Sequence, residues 1–266
     1  MSSEVLFEKR AGIARLTLNR PNVKNALTPG MSEDLVAIVA ELRADKEVRA
    51  FLIAGNGPDF CAGADLKSMA AALSPSAEQR GKDVAEMARK MAWPIFLGMN
   101  ELTMPIITSV RGHTIGAGVQ MVLSSDMTVA SQTAKLLLPQ VRLGHNVDHG
   151  ESYFLPRKIG LARTMQMILL GETVSGADAE RYGLVNWAVP DSELEAKTEQ
   201  VLQTIISLSP VAIREMKSLV RHSLDRTIEQ QFAAETESLG RCGATEDFIE
   251  AIKAFGEKRP ATFKGR

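Results

Sequence analysis

Residues 55–69 read GNGPDFCAGADLKSM: an apolar run, AFLIA at 50–54, ends in glycine, a small-residue loop follows, and a helix is expected to begin near Asp65. A second stretch, VRGHTIGAGVQMVLSSD at 110–126, repeats the plan, with a strand running into a Gly-Ala-Gly turn that opens a helix. Small residues at Ala62, Gly63 and Ala64 permit close backbone approach, and the first turn of each helix presents N–H groups that have no intrahelical acceptor. Each loop therefore suits a phosphate or an oxyanion. Neither carries the Gly-Lys-Ser/Thr of a phosphate loop, nor a GxGxxG with an acid about twenty residues further on.

Outward from these loops, the chain opens with VLFEKRAGIARLTLNRP (5–21), two short strands around Ala11-Gly12 that predict a hairpin. Residues 27–45 follow with Thr28 as N-cap, Pro29 at the first helical position and apolar residues at Leu35, Ile38, Val39 and Leu42, the spacing of an amphipathic helix. Further strands are expected in MPIITSVRG, MTVAS and AKLLLP. Strands alternating with helices indicate an α/β core. From about residue 160 the periodicity becomes helical, broken only by the strand-like LVNWAV, and roughly the last sixty residues read as helix throughout.

The 266 residues, 45% hydrophobic and 24% charged, suffice for a sizeable core. A formal net charge of −1 disfavours partners held by electrostatics, such as nucleic acid or an anionic membrane. Two cysteines, Cys61 and Cys242, make neither a disulfide framework nor a zinc motif and fit a reducing cytoplasm. The N-terminus lacks an apolar export signal, and no run approaches the roughly eighteen apolar residues of a membrane span. A soluble cytoplasmic protein without a metal is the expectation.

Five ordered segments carry a resemblance: NRPNVKNALTPGM (19–31), FCAGADLKSM (60–69), GHTIGAGVQMVLSSDMTVAS (112–131), RLGHNVDHGESYFLPRKIG (142–160) and AIKAFGEKRPATFKGR (251–266). Together they resemble the enoyl-CoA hydratase/isomerase (crotonase) superfamily over essentially the whole chain. That resemblance implies a spiral of ββα units binding acyl-CoA in residues 1–200. It also implies a C-terminal helical region, 201–266, for trimer contacts, with a homotrimer or dimer of trimers as the assembly. No cofactor is implied beyond the coenzyme A of the substrate.

It further implies that the backbone N–H groups of Ala64 and Ala117 hold the thioester oxygen, where developing negative charge is stabilised by preorganised donors worth about 10²–10³ in rate each. Lys24, Ala26 and Leu27, with Ala62, Asp65 and Leu66, correspond to the family's substrate-binding segments. Hydratases of the family work with two glutamates, and those positions hold Gln120 and Gln140 here. An amide cannot exchange a proton with water as a carboxylate does.

Asp148 falls four residues after Gly144, where two branches of the superfamily keep a functional aspartate. One branch uses it to move a proton on the acyl chain, the other as a nucleophile on an aryl thioester. The nucleophilic branch needs a histidine near the position of Trp93, and no histidine lies between residues 60 and 112. Trp93 is instead expected, with Phe96, to line the acyl pocket. Isomerisation with one aspartate and a backbone oxyanion hole is the favoured reading. A hydrolase or lyase using Asp148 as nucleophile, an atypical hydratase and a non-catalytic acyl-CoA-binding paralogue are its rivals. Asp148 also has the position of an acidic N-cap for the helix that follows, with Glu151 at N3. His145 and His149 flank it and read as surface residues able to tune it.

Overall fold

The computed structural model describes residues 3–266, so the first two residues of the expected 1–200 core lie outside it. The hairpin forms as expected: β1 (Val5–Arg10) pairs antiparallel with β2 (Ile13–Leu18), and Ala11 and Gly12, both at positive φ, make its two-residue turn. Helix α1 (Pro29–Ala44) starts at Thr28, whose hydroxyl accepts the Met31 N–H. Strand β3 (Ala50–Gly55), the short α2 (Leu66–Ala71), α3 (Ala77–Met87) and α4 (Trp93–Glu101) come next. Strands β4 (Ile106–Val110) and β5 (His113–Ile115) lead into α5 (Ala117–Ser124), followed by β6 (Met127–Ser131) and β7 (Lys135–Leu137). The chain continues through α6 (Glu151–Leu170), β8 (Thr173–Ser175), α7 (Gly176–Tyr182), β9 (Trp187–Val189) and α8 (Leu194–Ser207). Helices α9 (Pro210–Arg221), α10 (Ile228–Gly243) and α11 (Glu246–Glu257) close it.

Six strands form one sheet in the order β1-β2-β3-β4-β6-β9, parallel except for the hairpin. Alternate residues of β3 feed opposite cores: Phe51 and Ile53 face the large cluster under α1, α4 and α5, while Ala50 and Leu52 face a smaller one under α8. Burial on both faces explains why this strand reads as an unbroken apolar run. A second sheet, β5-β7-β8, stands beside the first. The first loop joins it through a bridge between Cys61 and Thr114 of β5, and a second bridge links Ala64 to Leu27.

The last stretch is helical as expected, and α9 is tied to the core through one acid. Asp126 pairs with Lys217 at 2.7 Å and with Arg221 at 2.8 Å; Lys217 also bonds the Met104 carbonyl before β4, and Arg221 the Asn100 and Ser124 carbonyls at the ends of α4 and α5. Gly160, with φ 75° and ψ 166°, kinks α6.

Candidate active site

The first loop is stitched to the segment at 24–27 by backbone bonds: Ala62 N–H to Lys24 O, Leu27 N–H to Gly63 O, and Asp65 N–H to Leu27 O. Asp65 caps α2 by accepting from Lys67 and Ser68 N–H, and pairs with Arg20 at 3.1 Å, which also donates to Ala26 O. Lys24 sits at the rim, its Nζ 3.3 Å from His113 Nε2, while His113 Nδ1 meets Asp59 at 2.6 Å. Leu66 is exposed. The sequence-derived binding residues from Lys24 to Leu66 therefore do gather at one loop junction.

The two loops meet at Gly63. With φ at +85°, its α-carbon lies so close to β5 that an added methyl would sit 2.9 Å from Ile115 O and 3.7 Å from Ala117 N. Gly116, at φ 53° and ψ −113°, turns the chain into α5 in a conformation closed to residues with a β-carbon, leaving Ala117 as the first helical residue. Its N–H and that of Ala64 find no acceptor among the described residues. Two N–H groups without acceptors thus flank the contact between the loops, the pair that the family resemblance assigns to a thioester oxygen.

Beyond them stand buried polar groups. Gln120 is fully buried; its Nε2 donates to Ser124 Oγ at 2.9 Å while Oε1 has no partner. Gln140, also buried, donates through Nε2 to Glu151 Oε1 at 3.1 Å, and its own Oε1 is unpartnered. Gly150 abuts this group, since a methyl on it would lie 3.7 Å from Gln120 Nε2.

Asp148 does not cap α6. The N-cap position belongs to Gly150, and Asp148 Oδ1 is buried with no hydrogen-bond partner. The helix start receives no side-chain cap; instead, the Glu151 carboxylate reaches back to accept the His149 N–H at 2.8 Å. The His149 ring lies between the two acids, Nε2 3.6 Å from Asp148 Oδ2 and Nδ1 3.7 Å from Glu151 Oε1, with the Phe96 ring 5.3 Å away. Burial pushes the Asp148 carboxyl above its ordinary range, outweighing the pull of His149. Burial opposes charge on His149 as well, yet Glu151 and Asp148 together raise its pKa; Glu151, despite desolvation, is held below its usual value by His149.

Three expectations change here. Trp93 is half exposed and lines a surface groove with Val36, Val39 and Leu97 instead of joining the cluster, because α4 turns Phe96 inward and Trp93 to its flank. His149 is not a surface residue; His145 is exposed, its ring turned to Asn146 O. Glu151, read as an ordinary first-turn residue, has no exposed side-chain surface. Its signal was in the sequence, since Glu151, Leu155 and Ile159 share the buried face of α6 at four-residue spacing. The ligand atoms of Asp148, His149 and Glu151 also lie within 4.8 Å of one another, a grouping the sequence did not reveal.

A sequence profile described as enoyl-CoA hydratase/isomerase matches residues 8–266. The chain belongs to that family. It is 31% identical to a short-chain-enoyl-CoA hydratase of Clostridium acetobutylicum over 99% of both chains. It is 30% identical to a 2,3-dehydroadipyl-CoA hydratase of Escherichia coli, covering 99% of this chain and 100% of that one. Among solved structures it resembles an enoyl-CoA hydratase from Bacillus anthracis, with TM-score 0.90 and 27% identity over 99% of this chain and 100% of the other. Membership makes the protein an acyl-CoA-processing enzyme of the crotonase fold. Among the described residues, no helix is long and apolar enough to cross a membrane.

Proposed function

We propose that the enzyme isomerises an unsaturated acyl-CoA, shifting a double bond or rearranging a ring, with Asp148 as its proton carrier. One observation carries this reading: both positions at which hydratases of the family hold glutamates are amides, and among the described residues Asp148 alone offers a buried carboxylate oxygen without a hydrogen-bond partner. The N–H groups of Ala64 and Ala117 would bind the thioester oxygen and stabilise the enolate formed when Asp148 removes a proton from the acyl chain. Returning that proton to a different carbon completes the shift without water, cofactor or metal. Lys24, Ala26, Leu27, Ala62, Asp65 and Leu66 would hold the coenzyme A portion, and Gln120 and Gln140 would direct hydrogen bonds at the acyl group.

The relatives' names favour a second reading, hydration. The two separate on one assay. Asp148→Asn is tested on 3-hexenoyl-CoA by the ultraviolet absorbance of the conjugated thioester and by uptake of heavy oxygen from labelled water. Isomerisation lost in a folded variant supports Asp148 as the proton carrier; undiminished isomerisation, or labelled hydroxyacyl product from the wild type, overturns the proposal.

Assembly as a homotrimer or dimer of trimers belongs to the same reading. Leu161, Met165 and Leu169 form an exposed stripe on α6, and Phe248, Ile252 and Phe255 another on α11, with Phe255 88% exposed. Apolar stripes of this kind are expected to be covered by another subunit.

A further inference from the structure

We infer that Glu151 and His149 are positioning residues that act through Asp148: Glu151 fixes the imidazole, and the imidazole keeps Asp148 ionised and its Oδ1 free for the substrate. The inference rests on Asp148 being the base.

The geometry is a line of three groups. Both Glu151 oxygens are engaged, Oε1 by the Gln140 amide and Oε2 by the His149 backbone N–H, so the carboxylate has one orientation. It faces His149 Nδ1 at 3.7 Å, and the opposite nitrogen faces Asp148 Oδ2 at 3.6 Å; these are charge contacts longer than a hydrogen bond, and Nδ1 has no hydrogen-bond partner of its own. Oδ2 is turned to the ring, and Oδ1 is buried without a hydrogen-bond partner. Phe96 of α4 covers the imidazole and brings no charge; Gln120 of α5 and Gln140 are neutral amides. Of the charges acting on Asp148, His149 draws it toward ionisation most, Glu151 opposes ionisation, and His145 assists more weakly.

The chemistry needs this arrangement. A carboxyl buried beside another carboxylate holds its proton, and a protonated Asp148 cannot remove one from the acyl chain. An imidazolium between the two acids offsets that repulsion without occupying Oδ1. Glu151 secures the imidazolium, because it is the member of the group that remains ionised most readily.

The test needs no knowledge of the natural acyl group. Carbon-13 carboxyl and imidazole titrations are followed by NMR in the wild type, His149→Phe and Glu151→Gln, with melting curves to establish folding. His149→Phe is expected to raise the Asp148 midpoint by about one pH unit or more. The acid limb of kcat for 3-hexenoyl-CoA should move with it, while KM changes little. Glu151→Gln is expected to lower the His149 midpoint toward its ordinary value and to raise that of Asp148 less. If Glu151→Gln does not fold, His149→Phe and His149→Gln carry the test. An unmoved Asp148 titration in folded His149→Phe overturns the inference. Failure of the underlying reading shows separately, as undiminished isomerisation in Asp148→Asn.

Discussion

Gly63 and Ala117 approach so closely that a methyl on Gly63 would stand 3.7 Å from the Ala117 nitrogen and 2.9 Å from the Ile115 carbonyl oxygen. The oxyanion hole we propose would therefore be a property of two loops pressed together, and both contacts are to backbone, which cannot swing aside. Gly63→Ala adds that methyl at a φ of +85°, where a β-carbon is also strained. Activity is expected to fall by about 10² or more while the protein stays folded, the loss of at least one donor. Turnover and acyl-CoA binding measured together check it; a variant with wild-type kcat would mean the loops do not form the hole.

How much of this was legible in the chain differs by element. The hairpin, α1 and its Thr28-Pro29 start, β3 and both glycine loops were readable, because each depends on local turn chemistry, capping or period. At the candidate site, the meeting of the two loops beside Ala64 and Ala117 was readable, because backbone turns set it. The site was not readable where side chains converge across the fold. Trp93 and Phe96 differ by three positions on α4, and only packing decides which faces His149. The Asp148 capping pattern matched local rules, yet Gly150 took the cap position and left the acid free.

The acid limb of activity distinguishes the two carboxylates. Asp148 is raised above its ordinary 3.8 and Glu151 is lowered below 4.5. If Asp148 is the base, kcat/KM should decline as pH falls through a midpoint above 3.8, since protonation removes the base. Glu151 works in the other quantity: its stabilisation is present above pH 4.5 and is lost as pH falls through its lowered value. Asp148→Glu should keep an acid limb at reduced rate. A limb that survives in Asp148→Asn would assign it to another group.

Asp126 is the only acid in ion-pair contact with Lys217 and Arg221 among the described residues, and Lys158 is attracted to it as well. Burial already brings Lys158 and Lys217 down to about 8. Asp126→Asn removes the counter-charge and leaves buried cations facing one another. A loss of about 3 kcal/mol or more is expected in chemical denaturation, concentrated in the docking of α9. Hydrogen exchange should then open α9 before the sheet; uniform exchange would show that this acid does not anchor the helix.

Turnover is expected to survive exhaustive chelation. Asp148, His149 and Glu151 lie close enough together to invite an ion, but the imidazole turns one nitrogen to each acid, whereas a metal would take only one nitrogen. A proton on the ring supplies the positive charge that a cation would bring. Activity lost on chelation and restored by one divalent cation would make the cluster a metal centre instead.

Gln140 is more than the absence of a glutamate. Its Nε2 donates to Glu151 Oε1 at 3.1 Å, so Gln140→Glu would place two buried carboxylates about 3 Å apart, and both cannot ionise. One of the pair must then hold its proton well above the ordinary glutamate value of 4.5. A group raised in the folded state adds nothing unfavourable at low pH and becomes destabilising as pH rises through its unfolded value. Gln140→Glu should therefore melt near the wild type at acid pH and progressively below it toward neutrality. Adding Glu151→Gln restores one amide and one carboxylate with the roles exchanged, and should recover the lost stability. A single variant as stable as the wild type at pH 7 would show that the Gln140–Glu151 contact does not govern which carboxylates this site can hold.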